Sequence, residues 1–223
     1  MDLKMYSSLP SKKKHESEYK NSSFRSGKQQ SNLSLVNQVY LNGRLIMAHQ
    51  FHEDDGSMAT LMQILVFCND NINRDKFDGN SDLEKALLDF AATKGFHKKL
   101  FDKIIPKIAE VRVDGNPGTV SAIIGLNGQY RLAIKDKPEN LLSRCDKLLF
   151  KGKTVPFTMN MVAKIKNVYQ RMAADNLQVI MLAFKDIERL PVELDPVFQV
   201  NRLTLVGMIG LHDIIPIADG VIQ

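Results

Sequence analysis

Three features of the 223-residue chain predict an α+β fold, a largely antiparallel twisted sheet flanked by helices. Two Asn-Gly dipeptides, Asn42-Gly43 and Asn127-Gly128, each lie between apolar stretches, and this dipeptide accepts the positive φ angles of a type I′ hairpin turn. Apolar residues recur at helical spacing in several segments between the strand-like runs. Residues 179–184 and 203–209 have the β-branched and apolar composition of buried strands. Hairpins with helices between them give α+β rather than the regular alternation of a parallel sheet.

The elements follow in order. Residues 33–49 read as a hairpin, with Val36, Val39 and Tyr40 ahead of the turn. Residues 50–57 form an acidic loop, and the almost wholly apolar residues 58–68 a buried helix. Residues 81–93 form an amphipathic helix that Ser81 or Asp82 can cap, with Leu83, Ala86, Leu87, Phe90 and Ala91 on one face. A shorter helix spans 97–104. A strand at 108–113 runs into Asp114-Gly115-Asn116-Pro117-Gly118, a strong turn signal. Strands at 120–124 and 130–134 pair around Asn127-Gly128, and a short helix starts at Pro138. Strands at 147–150 and 154–157 flank Gly152. Residues 158–174 form a helix on which Met161, Ile165, Val168 and Met172 repeat.

Bulk properties narrow the function classes. No stretch approaches the roughly 18 consecutive apolar residues of a membrane span, and no apolar leader marks a secretory signal. Cys68 and Cys145 fit no metal or redox spacing, so reduced thiols and a cytoplasmic location are expected. The net charge of +5 sits mainly in residues 1–32, where seven Lys and Arg face three acids. That serine-rich segment lacks the apolar residues needed to offset chain entropy, so a disordered basic tail is expected there. The organisation is then a tail at 1–32, one domain at 33–213 and a short tail at 214–223. A folded part close to neutral makes nucleic acid a poor partner. Lys12, Lys13 and Lys14 supply only weak contact with an anionic surface.

Two motifs have bland readings. Gly152-Lys153-Thr154 ends like a P-loop, but Lys147 stands where the first glycine must be, so a hairpin turn is the better reading. His49, His52, Glu53, Asp54 and Asp55 cluster without a ligand spacing and read as a solvated loop.

Residues 131–145, RLAIKDKPENLLSRC, carry the most specific pattern. The stretch resembles the K-G-A-P-E … L-x-R-C segment in the nucleotide-binding domain of P-type cation-transport ATPases. Phe67-Cys68-Asn69-Asp70 resembles that family's C-N-D segment, and residues 80–87 its G-D-P-T-E-x-A-L. Residues 148–158, 177–186 and 203–213 resemble later strands in the same order.

The resemblance implies a domain that holds ATP and passes its γ-phosphate to an aspartate in D-K-T-G-T. That motif is absent here, and so are membrane helices, so the chain alone is not expected to be a pump. The implied nucleotide site is altered. Val113 stands where the family has the aromatic residue that stacks on the base, and Gln178 where it has an arginine. Leu83 replaces the threonine before Glu84, which is kept. Lys135 is kept, but Asp136 replaces the following glycine, adding bulk and repelling phosphate. Base stacking is worth about 1–3 kcal/mol and a charge-assisted hydrogen bond about 1.5–3. Losing both removes about as much as the ~4 kcal/mol of a whole millimolar site.

The expectation is a stand-alone, degenerate copy of the domain, a non-catalytic interaction or regulatory module without a cofactor, working through a protein partner. The alternative is a weak ATP-binding domain or subunit of a P-type cation-transporting ATPase. A truncated gene product and a tail-driven anionic-surface binder are further alternatives.

Overall fold

A computed structural model describes residues 36–52, 55–69, 79–111, 119–126, 128–190 and 200–212. The expectations for residues 1–32, Val113, the turn at 114–118, Asn127 and residues 214–223 lie outside them. So do Glu53 and Asp54.

The first hairpin pairs β1 (Val36–Leu41) with β2 (Arg44–Met47). Its turn has φ of 52° at Asn42 and 77° at Gly43, the left-handed pair that a type I′ turn requires. Then come α1 (Gly56–Phe67), α2 (Gly79–Thr93) and α3 (Lys98–Ile104). The strands β3 (Lys107–Glu110), β4 (Val120–Leu126) and β5 (Gln129–Asp136) follow. The short α4 (Pro138–Leu141) leads to a second hairpin, β6 (Cys145–Phe150) and β7 (Lys153–Pro156). The chain closes with α5 (Met159–Ala174), β8 (Leu177–Ile187) and β9 (Leu203–His212).

Among the described residues these strands form one sheet in the order β2-β1-β9-β8-β5-β4-β3, with β6 and β7 joined at β9. Every pairing is antiparallel except that of β6 with β9. The α+β class with a largely antiparallel sheet is therefore what the chain adopts. None of the described helices is long and apolar enough to cross a membrane.

The sheet buries both faces, as strand alternation shows. On β8, Ile180, Leu182 and Phe184 join the core beneath α1, α2 and α3, where Leu61, Leu65, Phe67, Leu87 and Phe90 are packed. Val179, Met181 and Ala183 turn the other way and meet Ile165 and Met172 of α5. The central strand β9 runs so close to β1 that a Cβ at Gly207 would lie 2.3 Å from the Tyr40 carbonyl oxygen. Only glycine fits there.

Helix starts differ from the expected ones. The backbone is already helical at Gly79, so Ser81 and Asp82 fall inside the first turn of α2 and neither is the cap residue. Asp55 caps α1, its Oδ1 accepting from the backbone N–H groups of Ser57 and Met58 at 2.9 and 3.1 Å. The acidic-loop residue is thus structural. Its Oδ2 accepts from Asn42 at 2.7 Å, while Asn42 Oδ1 accepts from the Lys151 N–H at 2.7 Å. The Gly152 N–H donates to Ser57 Oγ at 2.8 Å. Both hairpin turns are thereby pinned to the start of α1, and Gly152 is a turn residue as expected.

Candidate functional site

Lys135 and Glu84 are 51 positions apart in sequence and meet beneath α2. Lys135 lies near the end of β5, opposite Leu182 of β8, so its side chain shares the α1–α2 face of the sheet. Glu84 reaches the same face from the second turn of α2. The Lys135 ammonium donates to Glu84 Oε1, and the two side chains are only 5% and 7% exposed. Asn69, just beyond α1, donates from Nδ2 to Glu84 Oε2 at 2.9 Å and to the Glu84 carbonyl at 3.3 Å. Both side chains are therefore withdrawn from solvent. They form a desolvated ion pair held by an amide.

The neighbouring Cys68 thiol is pushed up to about 12 by burial, although the Lys135 and Lys107 ammonium groups pull the other way. The surroundings of the pair are thus strongly apolar, and burial outweighs nearby positive charge. A lysine engaged in this way presents no spare charge to a phosphate. An incoming anion would have to displace Glu84 or stand beyond it.

Asp136 belongs to a different place. It opposes Met181, so its side chain emerges on the α5 face, away from Lys135. Its carboxylate is fully engaged there. Oδ1 accepts from the Lys137 N–H at 2.7 Å and from Asn140 Nδ2 at 2.9 Å, and Oδ2 accepts from the Thr119 hydroxyl. Asp136 organises the first turn of α4 and ties it to the start of β4. It does not crowd the space around Lys135, contrary to the reading of a carboxylate placed to repel phosphate.

Gln178 does share the sheet face of Lys135, but it is exposed near the far end of β8. It stands four residues from Leu182, about 13 Å along the strand. On the other side of Lys135, Arg131 is committed elsewhere: Nε and Nη2 donate to Asp186 at 2.6 and 3.1 Å, and the guanidinium covers the Phe184 ring at 3.9 Å. The structure therefore brings Lys135 and Glu84 together and leaves Asp136 and Gln178 apart from them. Asn69, Thr119 and Asn140 were not singled out from the sequence as site residues. Asn69 lies in the C-N-D-like segment, which was the one signal pointing to it.

The described residues hold no group of three His, Cys, Asp or Glu able to bind a metal. A groove of about 360 Å³ opens on the α5 face, between α4 and α5, lined by Pro138, Glu139, Leu142, Val162, Lys166 and Tyr169. The Tyr169 hydroxyl donates to the Glu139 carboxylate across it, and this bond raises the Tyr169 pKa. The groove is on the side of the sheet opposite to Lys135.

Residues 57–215 match the family model described as P-type ATPase, cytoplasmic domain N. The chain is 24% identical over 189 residues to Calcium-transporting ATPase 1 of Bacillus cereus, covering 85% of this chain and 21% of that protein. It is 25% identical over 158 residues to Calcium-transporting ATPase 1 of Lactococcus lactis, covering 69% of this chain and 17% of the relative. A plant protein, Calcium-transporting ATPase 4, plasma membrane-type, of Arabidopsis thaliana, is 27% identical over 173 residues, 73% of this chain and 16% of its own length. The chain thus spans about a fifth or less of the length of these relatives.

Proposed function

Because the chain belongs to the family of P-type ATPase cytoplasmic N domains, we propose that it keeps the scaffold of that domain as a non-catalytic interaction or regulatory module. In this reading the module is cytoplasmic, has lost productive ATP binding and acts on a protein partner. Its connection to cation transport rests on relatives named as calcium-transporting ATPases.

One observation carries the reading: Lys135 and Glu84 satisfy each other in a buried pair, with Asn69 holding the carboxylate. The Gln178 and Val113 replacements point the same way, since neither side chain supplies the charge or the aromatic face that grips a nucleotide. The second reading is a weak ATP-binding part of a P-type cation-transporting ATPase. It is favoured by the same two residues, Lys135 and Glu84, standing together at one place on the sheet.

Titration of the labelled protein with ATP, ADP and AMP, followed by amide chemical shifts, separates the two. The module predicts no saturable shift up to millimolar nucleotide. Saturable shifts centred on Lys135, Glu84 and Asn69 would establish the ATP-binding reading instead.

A further inference from the structure

The groove between α4 and α5 takes no part in the pairing of Lys135 with Glu84. Its volume of about 360 Å³ lies in the range of small-ligand pockets. Val162, Lys166 and Tyr169 form one wall. They follow one another at spacings of four and three, so they share a flank of α5, beside the row of Met161, Ile165, Val168 and Met172 that packs into the core. Met159 precedes Val162 by three positions on the same flank and is 82% exposed. Pro138, Glu139, Leu142 and Ser143 form the other wall. The Tyr169 hydroxyl, donating to Glu139, ties the two walls together.

The polar groups of the groove are unequally served. Glu139 has a partner in Tyr169. Lys166 is exposed and forms no ion pair or side-chain hydrogen bond among the described residues. The Ser143 hydroxyl and the Gln170 amide, which also line the groove, have no hydrogen-bond partner among the described residues either. Three donors therefore stand open beside an apolar surface made by Pro138, Leu142 and Val162. Val162 is half-buried yet packs into neither core cluster, so its apolar surface serves the groove.

We propose that this groove binds a small amphipathic monocarboxylate, its apolar body against Pro138, Leu142 and Val162 and its carboxylate on Lys166. Charge selects the ligand. A cation would be repelled by Lys166 and would find Glu139 already bonded to Tyr169. A polyanion such as a nucleotide would bring more negative charge than one ammonium answers, next to the Glu139 carboxylate. A single carboxylate gives Lys166 a charge-assisted partner, with Ser143 and Gln170 as further donors. The apolar body takes Leu142 and Val162 out of water, and Met159, one turn before Val162, adds a flexible apolar contact. The proposal goes beyond the reading of the domain as an interaction module and stands whether or not ATP binds on the opposite side of the sheet.

The test is titration of the labelled full chain with phenylbutyrate and with decanoate, followed by amide chemical shifts, beside the uncharged phenylbutanol and the cationic phenylbutylamine. Each acid should give saturable millimolar shifts centred on Leu142, Val162, Lys166 and Tyr169. The alcohol and the amine should bind severalfold more weakly than phenylbutyrate. Lys166→Gln should weaken phenylbutyrate severalfold and leave phenylbutanol unchanged, which a merely structural role of Lys166 would not do. Val162→Asp should weaken all four compounds, and both variants should keep the wild-type melting curve. The proposal is overturned if neither acid gives saturable shifts, or if the shifts centre away from α4 and α5. It is overturned equally if the amine binds as tightly as the acid, or if Lys166→Gln binds phenylbutyrate as well as the wild type.

Discussion

Removing one member of the Lys135–Glu84 pair leaves a charge in a place that water barely reaches. Breaking such a pair by a single substitution costs about 3–5 kcal/mol, whereas replacing both members by apolar side chains is often neutral. Lys135→Met and Glu84→Leu should each lower stability by that amount, and the double variant should regain most of it. Urea denaturation of the three proteins measures the coupling directly. Single substitutions that cost less than about 1 kcal/mol would place the pair in water. Asn69 adds a second donor to the carboxylate and fixes which oxygen faces the lysine. In the fold the pair is an internal contact between α2 and β5.

At the scale of elements, close packing and capping decide what the chain tolerates. Gly207 sits where β9 passes the Tyr40 carbonyl, and any side chain there must move a backbone. Gly207→Ala should destabilise the domain by at least about 2 kcal/mol, read as a drop in melting temperature. Most elements were legible in the sequence because their signals are local. The Asn42-Gly43 turn, the helical repeat from Met161 to Met172 and the apolar runs of β8 and β9 each specify an element within a few residues. Helix starts were less legible. Gly79 and Asn80 lack the usual marks of a helix, yet α2 includes them, which pushed Glu84 from the first turn into the second. The site was legible only in part. Lys135 and Glu84 could be chosen by motif, but their pairing spans 51 positions, and no local pattern reveals it. Asp136 misled for a simpler reason. Neighbours on a strand point to opposite faces, and adjacency to Lys135 in sequence therefore means separation across the sheet.

The described part of the domain presents two unlike faces around one sheet. On one side α1, α2 and α3 cover a deep apolar core with the buried Lys135–Glu84 pair at its margin. On the other, α5 and the second hairpin carry exposed lysines and Arg171. A last property follows from the pairing of the first strand with the final one, where Val36 lies opposite Leu211. The polypeptide enters and leaves at one corner, side by side. Tension applied between those two points loads the antiparallel bonds of β1 and β9 in sequence, not all at once. Stretched in an optical trap through handles at that corner, the domain should unzip gently, while handles placed at opposite ends of β9 should meet a far stiffer body.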